Sequence, residues 1–227
     1  MLFHKKSPLI SVFLQLPFYF TRKIHKKVME NNLKEALQQR RSYYRLSNQS
    51  TLSDNQLEEL LSFILQHTPS AFNSQSTRMV LLLKKEHQKL WEMVLNTLKP
   101  ALSPAAFAKT QKKINLSFAS GYGTVLFFED WNIIEELQNN YPLYQDQFPI
   151  WAQHTSGMHQ LMVWMMLESN GLGASLQHYN PLIDQEVKHT WNLPQTWKLI
   201  AQMPFGLPQD TPAIKTFTPI SERLKRF

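Results

Sequence analysis

The sequence predicts an α+β domain in which helices cover both faces of a central sheet. Segments with apolar residues at helical spacing alternate with short, continuous apolar runs. Those runs lack the polar alternation of a half-exposed strand, so they suit strands buried on both faces. With 43% hydrophobic and 18% charged residues, the 227-residue chain can bury a real core. The length fits one domain of ordinary size, or one with an appendage.

The elements follow in order. Leu33, Ala36 and Leu37 have helical spacing and lead into Arg40-Arg41-Ser42. Ser53 and Gln56 form a capping-box pattern, and Leu57, Leu60, Leu61, Ile64 and Leu65 then make one apolar helix face. Thr68-Pro69 stops that helix, because proline removes a donor and restricts the residue before it. Met79–Leu83 reads as a buried strand, and Glu86–Leu98 as a helix with Leu90, Trp91, Val94 and Leu95 inward. Ser103 caps a helix with Pro104 at its first position. Thr124–Phe128 is a second strand. Trp151–Ser169 is a long helix that closes at Asn170-Gly171. Ala174–His178 is a third strand, Asp184–Trp191 a short helix and Trp197–Met203 a fourth strand. From Leu207 onward, Pro208, Pro212 and Pro219 predict an extended arm without helix.

The formal charge of +7 invites a nucleic-acid reading. Its distribution argues against that reading. Lys5, Lys6, Arg22, Lys23, Lys26 and Lys27 precede the first acid, Glu30, and without them 18 basic residues face 17 acidic ones. No nucleic-acid partner is expected. The apolar run Pro8–Phe20 is too short to span a bilayer, and its Phe-Tyr-Phe ending is a poor cleavage site. Three readings of residues 1–28 stay open: a gene-start artefact with translation from Met29, a surface helix touching a membrane or partner, or a docked extension. The first is preferred, because a plausible domain, 29–227, starts just after Met29. Membrane contact through 1–28 is not favoured, and the expected location is cytoplasmic.

The chain has no cysteine, so thiolate catalysis, disulfides and zinc–sulfur sites are excluded. No Walker or dinucleotide glycine loop is present, nor a Gly-x-Ser-x-Gly motif. His178 has no histidine or carboxylate grouping around it that would suggest a metal. Four segments carry possible chemistry. Arg40-Arg41-Ser42 suits a phosphate clamp, since guanidinium offers forked donors to phosphate oxygens. Arginines also favour helix ends for the dipole alone. Asn73 and Gln75, within Pro69–Gln75, offer amides that match a planar heterocycle, and equally a helix-to-strand turn. The strand end at His178-Tyr179 can bring backbone amides to a ligand. The basic end, Pro219–Phe227, is either a solvated tail or, with Ile220, Leu224 and Phe227 interleaved, a docking arm.

In order and spacing these segments resemble the nitroreductase superfamily, and within it the fungal-type, fatty-acid-repression branch that also occurs in bacteria. The resemblance covers about Glu30 to Phe227. It rests on Arg40-Arg41-Ser42-Tyr43-Tyr44, Pro69 to Ser76, Gly121 to Asp130, Phe205-Gly206 and Pro219 to Phe227. Tyr44 stands where many relatives have a basic residue, and Ser76 where many have proline. Both departures resemble the named branch.

The resemblance implies a three-layer α-β-α domain with a mixed, mainly antiparallel sheet, and a C-terminal arm exchanged across a homodimer that buries FMN at its interface. By position, Arg40, Arg41 and Ser42, with Tyr44, would hold the FMN phosphate and ribityl chain. Asn73 and Gln75 would contact the isoalloxazine. The backbone around His178 and Tyr179 would lie near flavin N5, and Arg223 and Lys225 would complete the phosphate site. The implied activity is electron transfer from NADH or NADPH to small oxidised acceptors such as nitroaromatics or quinones, by a ping-pong shuttle, in a redox-stress setting. No side chain is expected to act as nucleophile or general base, because the cofactor carries the chemistry. Phe72 and Tyr122 are candidate linings of the acceptor pocket, with core packing the preferred role for each. A flavin-binding sensor with little turnover is the alternative function.

Overall fold

The computed structural model describes residues 33–227. The readings of residues 1–28, and the expected boundary at Met29, lie outside the described residues. Residues 33–39 are helical, so Arg40 follows a helix end as expected. Residues 39–227 form one compact unit.

Within that unit, strand β1 is Leu46–Ser47 and helix α1 is Asp54–His67. The predicted capping box opens α1: Gln56 N donates to Ser53 Oγ at 3.3 Å, and Ser53 N to Gln56 Oε1 at 2.9 Å. There follow β2 Thr77–Leu83, α2 Lys84–Leu98, α3 Pro104–Ser117, β3 Gly123–Asp130, α4 Trp131–Asn140, α5 Phe148–Ser169, β4 Gly173–Ala174, α6 Asp184–Thr190, β5 Trp197–Pro208 and α7 Ile220–Arg223. Ser103 caps α3 by accepting from Ala106 N. Gly171, at φ +75°, ends α5: Gly171 N bonds Glu168 O and Leu172 N bonds Leu167 O, each at 2.9 Å. At Asp54, in the first turn of α1, Lys84 Nζ binds Oδ2 at 2.5 Å and the Tyr122 hydroxyl donates to Oδ1.

The sheet runs β1-β5-β3-β2, with β4 also on β5. Every ladder is antiparallel, and one parallel bridge, Ser42 with Ala174, joins the segment before β1 to β4. Side chains alternate faces along a strand. Val125 and Phe127 of β3 therefore enter one apolar cluster, with Leu57, Leu61 and Ile64 of α1 and Val163 and Leu167 of α5. Leu126 and Phe128 enter the other, with Leu90, Trp91 and Val94 of α2, Ile114 of α3 and Val187 of α6. That is the three-layer architecture. A bulge in β5 opposite Phe127/Phe128 takes up one residue, Ile200. Leu199 consequently faces the second cluster while Ala201, Met203 and Phe205 face the first.

Several boundaries differ from expectation. Expected regular pairing over Ala174–His178 shrinks to Gly173–Ala174 plus a single bridge, Gln177 with Gln202. Pro204 of β5 lies opposite this gap; its carbonyl accepts from Ser175 N at 3.3 Å, but it has no N–H to return the bond. β5 continues five residues past the expected end at Met203. There Gly206 passes so close to β1 that a Cβ would stand 2.2 Å from Ser47 O. Helix α4 was not expected. The arm from residue 209 is extended as predicted, but Ile220–Arg223 forms one short helix within it. No helix among the described residues is long and apolar enough to cross a membrane.

Candidate functional site

Arg40-Arg41 is held by α5. The Arg40 guanidinium lies 4.4 Å above the Trp164 ring, and Trp164 Nε1 donates to Arg41 O at 3.2 Å. The following residues anchor on β4: Tyr43 N donates to Ala174 O at 3.0 Å, and a side chain at Gly173 would collide with the Tyr43 ring at 2.8 Å. Glu168, one turn beyond Trp164, lies beneath. Burial pushes its carboxyl up, against the Arg41 amide, the Tyr43 hydroxyl and the Arg40 charge, and its Oε2 has no hydrogen-bond partner. Burial, and then Glu168, push the Tyr43 hydroxyl up. Tyr44 is exposed.

The arm returns to this point. Arg41 Nη2 donates to Ala213 O, and Lys215 Nζ to Arg40 O at 3.5 Å. Desolvation, and then the charges of Arg40 and Arg41, pull the Lys215 pKa down. Ion pairs among the described residues form at Arg78–Asp130 and Lys84–Asp54, and neither involves these three cations. Arg40, Arg41 and Lys215 therefore converge without a carboxylate salt bridge. Such a group suits a phosphate monoester, which offers several acceptor oxygens and two charges.

Asn73 and Gln75 stand in a strained loop. Phe72, Asn73 and Gln75 have φ of 55°, 52° and 49°, a left-handed conformation unusual for an aromatic or a long side chain. Side chains hold it there. Gln75 N donates to Ser70 Oγ at 2.9 Å, and Arg78 Nη1 to Gln75 O at 2.6 Å, while Arg78 Nη2 bonds Asp130 at 3.1 Å. Behind the loop, buried Glu129 accepts from Ser76 Oγ at 2.5 Å and Thr77 Oγ1 at 2.6 Å. Burial pushes the Glu129 carboxyl up, against those two hydroxyls and Arg78. The Asn73 and Gln75 side chains remain exposed. Half-exposed Phe72 packs on Tyr141, Phe148, Tyr144 and Trp151, with ring centroids 4.9 to 6.0 Å away. Phe72 thus packs within an aromatic cluster, and none of the surface concavities is lined by it. Tyr122 instead bonds Asp54 and packs on Phe205.

His178 is exposed beside β5, but the Tyr179 amide is not free: it donates to Gln202 Oε1 at 2.7 Å. The Tyr179 ring joins the second cluster against Trp91 and Phe118, and burial pushes its hydroxyl up. Arg223 and Lys225 face solvent on the arm, where Lys225 Nζ bonds Ser221 O at 2.8 Å. No hydrogen bond joins either to Arg40 or Arg41.

The ten candidate residues thus fall into separate groups on one chain. Helix α5 touches two of these groups, the Asn73–Gln75 loop where Phe72 packs on Trp151 and the arginine pair at Trp164, two positions about 20 Å apart along the helix axis. Four concavities of about 420 to 560 Å³ lie elsewhere on the surface, and none is lined by Arg40, Arg41, Asn73 or Gln75. Sequence reasoning missed Trp164, Glu129 and Lys215. Trp164 reads as one more apolar position of α5. Lys215 is distinguished only as a single cation between Pro212 and Pro219.

Comparison with known proteins gives the family. The model of the nitroreductase family matches residues 37–207. The nitroreductase FRM2 of Saccharomyces cerevisiae is 34% identical over 188 residues, covering 82% of this chain and 93% of its own. The nitroreductase CinD from Lactococcus lactis in complex with nicotinic acid superposes with a TM-score of 0.78 at 38% identity, covering 85% of this chain and 98% of its own. Its complex with 4-nitrophenol gives 0.76 at 37% identity, with the same coverage. From the arginine pair to the end of β5, in sequence and in fold, the chain belongs to the nitroreductase family.

Proposed function

We propose that this oxidoreductase is an FMN-dependent enzyme that moves electrons from NADH or NADPH to small oxidised acceptors, nitroaromatics or quinones among them, as a homodimer. The observation that carries the reading is the convergence of Arg40 and Arg41 on α5 without an ion pair, a fit to the FMN phosphate. Ser42 and Tyr44 would flank that phosphate and the ribityl chain. The exposed amides of Asn73 and Gln75 would meet the isoalloxazine edge, and their strained backbone keeps them turned outward. The backbone at His178 and Tyr179 would lie beside the ring, and Arg223 and Lys225 would close the phosphate site from the arm. When bound, FMN supplies the redox chemistry, taking two electrons from the nicotinamide and passing them to the acceptor. The chain's own part is to bind, orient and exclude water, with Phe72 and its aromatic neighbours forming an apolar wall.

Exposed apolar surface supports the dimer. Ile150, Met158, Leu161 and Met162 of α5 face outward, as do Ile214, Phe217, Ile220, Leu224 and Phe227 of the arm. A helix apolar on its outer face and an arm of uncovered side chains call for a partner surface, and a second copy would also close flavin groups that lie open on one chain. The ligands of the CinD complexes, nicotinic acid and 4-nitrophenol, support planar aromatic molecules as users of the same pocket. The proposed setting is the cytoplasm, in handling oxidised small molecules under redox stress.

The test is flavin extraction from purified protein, followed by reductase assays over nitro compounds, quinones and free flavin. A yellow protein bleached by NADH or NADPH and restored by an acceptor is expected. A colourless protein that refuses added FMN overturns the flavin reading. Bound flavin that neither nicotinamide reduces overturns the enzyme in favour of a sensor.

A further inference from the structure

A concavity of about 560 Å³ opens between helix α3 and the residues around β1, and neither Arg40 nor Arg41 lines it. Its charged lining is Arg45, Lys109, Lys112 and Lys113, with no carboxylate among the lining residues. The imbalance begins in the sequence. From Met93 to Phe128 the chain has no aspartate or glutamate, so α3 carries lysines and no acid. Lys109, Lys112, Lys113 and Leu116 stand at i, i+3, i+4 and i+7, on one face of that helix. Arg45 joins them from a second element. Gln209 N donates to Arg45 O at 2.8 Å, and Leu46 pairs with Pro208, which fixes the backbone on that side. Lysines in the last turn of a helix complement its dipole, but the last turn of α3 holds no cation. All four basic residues are exposed, and neither ion pair among the described residues involves them. A cleft lined by one sign of charge focuses its potential and gathers ions of the other sign.

We propose that this concavity binds an oligophosphate of the nucleoside triphosphate class. The four cations take the phosphate chain, whose oxygens accept charge-assisted hydrogen bonds. Ser117 adds a hydroxyl that can donate to the same oxygens. Leu116, 58% exposed at the same concavity, offers apolar surface to the base. The volume falls within the range of small-ligand sites, about 300–1,000 Å³. None of these residues is assigned to the flavin, so the site stands apart from the FMN reading.

Calorimetric titration of the full-length protein with ATP and with inorganic tripolyphosphate, at about 0.15 M salt, tests the site. Three double variants accompany the wild type. Lys109→Gln with Lys112→Gln removes two of the cations, and Lys109→Arg with Lys112→Arg keeps their charge. Lys85→Gln with Lys89→Gln removes the same charge from exposed positions on α2. Saturable binding of both probes is expected, ATP the tighter. The first variant should weaken it roughly 10-fold or more, the second should retain it, and the third should leave it nearly unchanged. Equal affinities for the two probes overturn the base contact at Leu116 and leave the phosphate chain as the ligand. No binding of either probe overturns the site. Equal weakening by the first and third variants overturns it as well, because net charge alone then attracts the anion. Binding that the first variant leaves unaltered lies elsewhere, at Arg40 and Arg41 among other places, and overturns it too. Retention on anionic vesicles or single-stranded DNA without binding of either probe overturns it in favour of a macromolecular partner.

Discussion

Ser76 donates a 2.5 Å hydrogen bond to Glu129 across 53 residues of sequence, tying the end of the strained loop to the far end of β3. Thr77 occupies the other carboxylate oxygen, and His159 Nδ1 lies 3.3 Å from Thr77 Oγ1 and 3.0 Å from Thr155 O. With Thr155 O as its acceptor, His159 carries its proton on Nδ1. A proline at the position of Ser76 would have no hydroxyl for Glu129.

Removing one end of that tie is expected to cost stability. Ser76→Ala leaves Glu129 Oε2 buried without a partner, at about 1–3 kcal/mol. In a chain of this size that lowers Tm by roughly 2–4 °C per kcal/mol. Thermal unfolding followed by circular dichroism measures it, and an unchanged Tm contradicts the tie. Glu129→Gln is expected to fall in the same range, since an amide cannot accept on both sides.

His87 predicts an acid limit to stability. Its Nε2–H donates to Ala119 O at 3.2 Å, its Nδ1 accepts from Thr124 Oγ1 at 2.9 Å, and that oxygen accepts from Trp91 Nε1 at 3.1 Å. Every position is satisfied by neutral imidazole, and burial pulls the pKa down to about 4. Below its unfolded pKa, about 6.5, the unfolded chain binds a proton that the fold refuses. Stability is therefore full above that pH and declines as pH falls toward 4, by up to about 3 kcal/mol. Glu129 acts with the opposite sign. Its raised pKa favours the fold at low pH, and that contribution is lost as pH rises through the folded value. Urea unfolding at pH 7 and pH 4.5 should show a steeper loss for the wild type than for His87→Asn. Equal losses would remove His87 as the cause.

Trp164 is expected to act on phosphate binding through the arginines. Trp164→Phe keeps a ring under Arg40 but removes the donor to Arg41 O, and Trp164→Leu removes both. A hydrogen bond of about 1 kcal/mol and a cation–π contact of about 0.5–2 kcal/mol give roughly fivefold weaker FMN binding for the first variant and tenfold or more for the second. Fluorescence titration measures both. Equal affinities for the two variants would show that Trp164 only fills space.

Much of this was legible in the sequence where one local rule governed the outcome. The capping box at Ser53, the Thr68-Pro69 stop and the Gly171 terminator depend on neighbours a few residues away, and the buried strands announced themselves as apolar runs. What failed to show depends on distant partners. Pro204 cuts short the strand after Ala174 from another strand, and the bulge at Ile200 changes the facing of β5 without changing its composition. Arg40, Arg41, Asn73 and Gln75 were visible as types suited to a ligand. The residues that position them, Trp164, Glu129 and Lys215, come from 53 to 175 residues away, and no spacing rule reaches that far.

The outer face of α5 carries the last prediction. Met158, Leu161 and Met162 lie at helical spacing, 36 to 42% exposed, on a helix whose other side fills the core. If a second copy covers that face, a charge placed there is buried unpaired at the interface, whereas on a monomer it is simply solvated. Leu161→Glu is therefore expected to leave the monomer folded and to shift light-scattering mass from dimer to monomer. FMN affinity should fall with it, because the flavin groups on one chain stay open without a partner. Unchanged mass would remove α5 from the interface. A monomeric variant with wild-type FMN affinity would show that a single chain completes the flavin site.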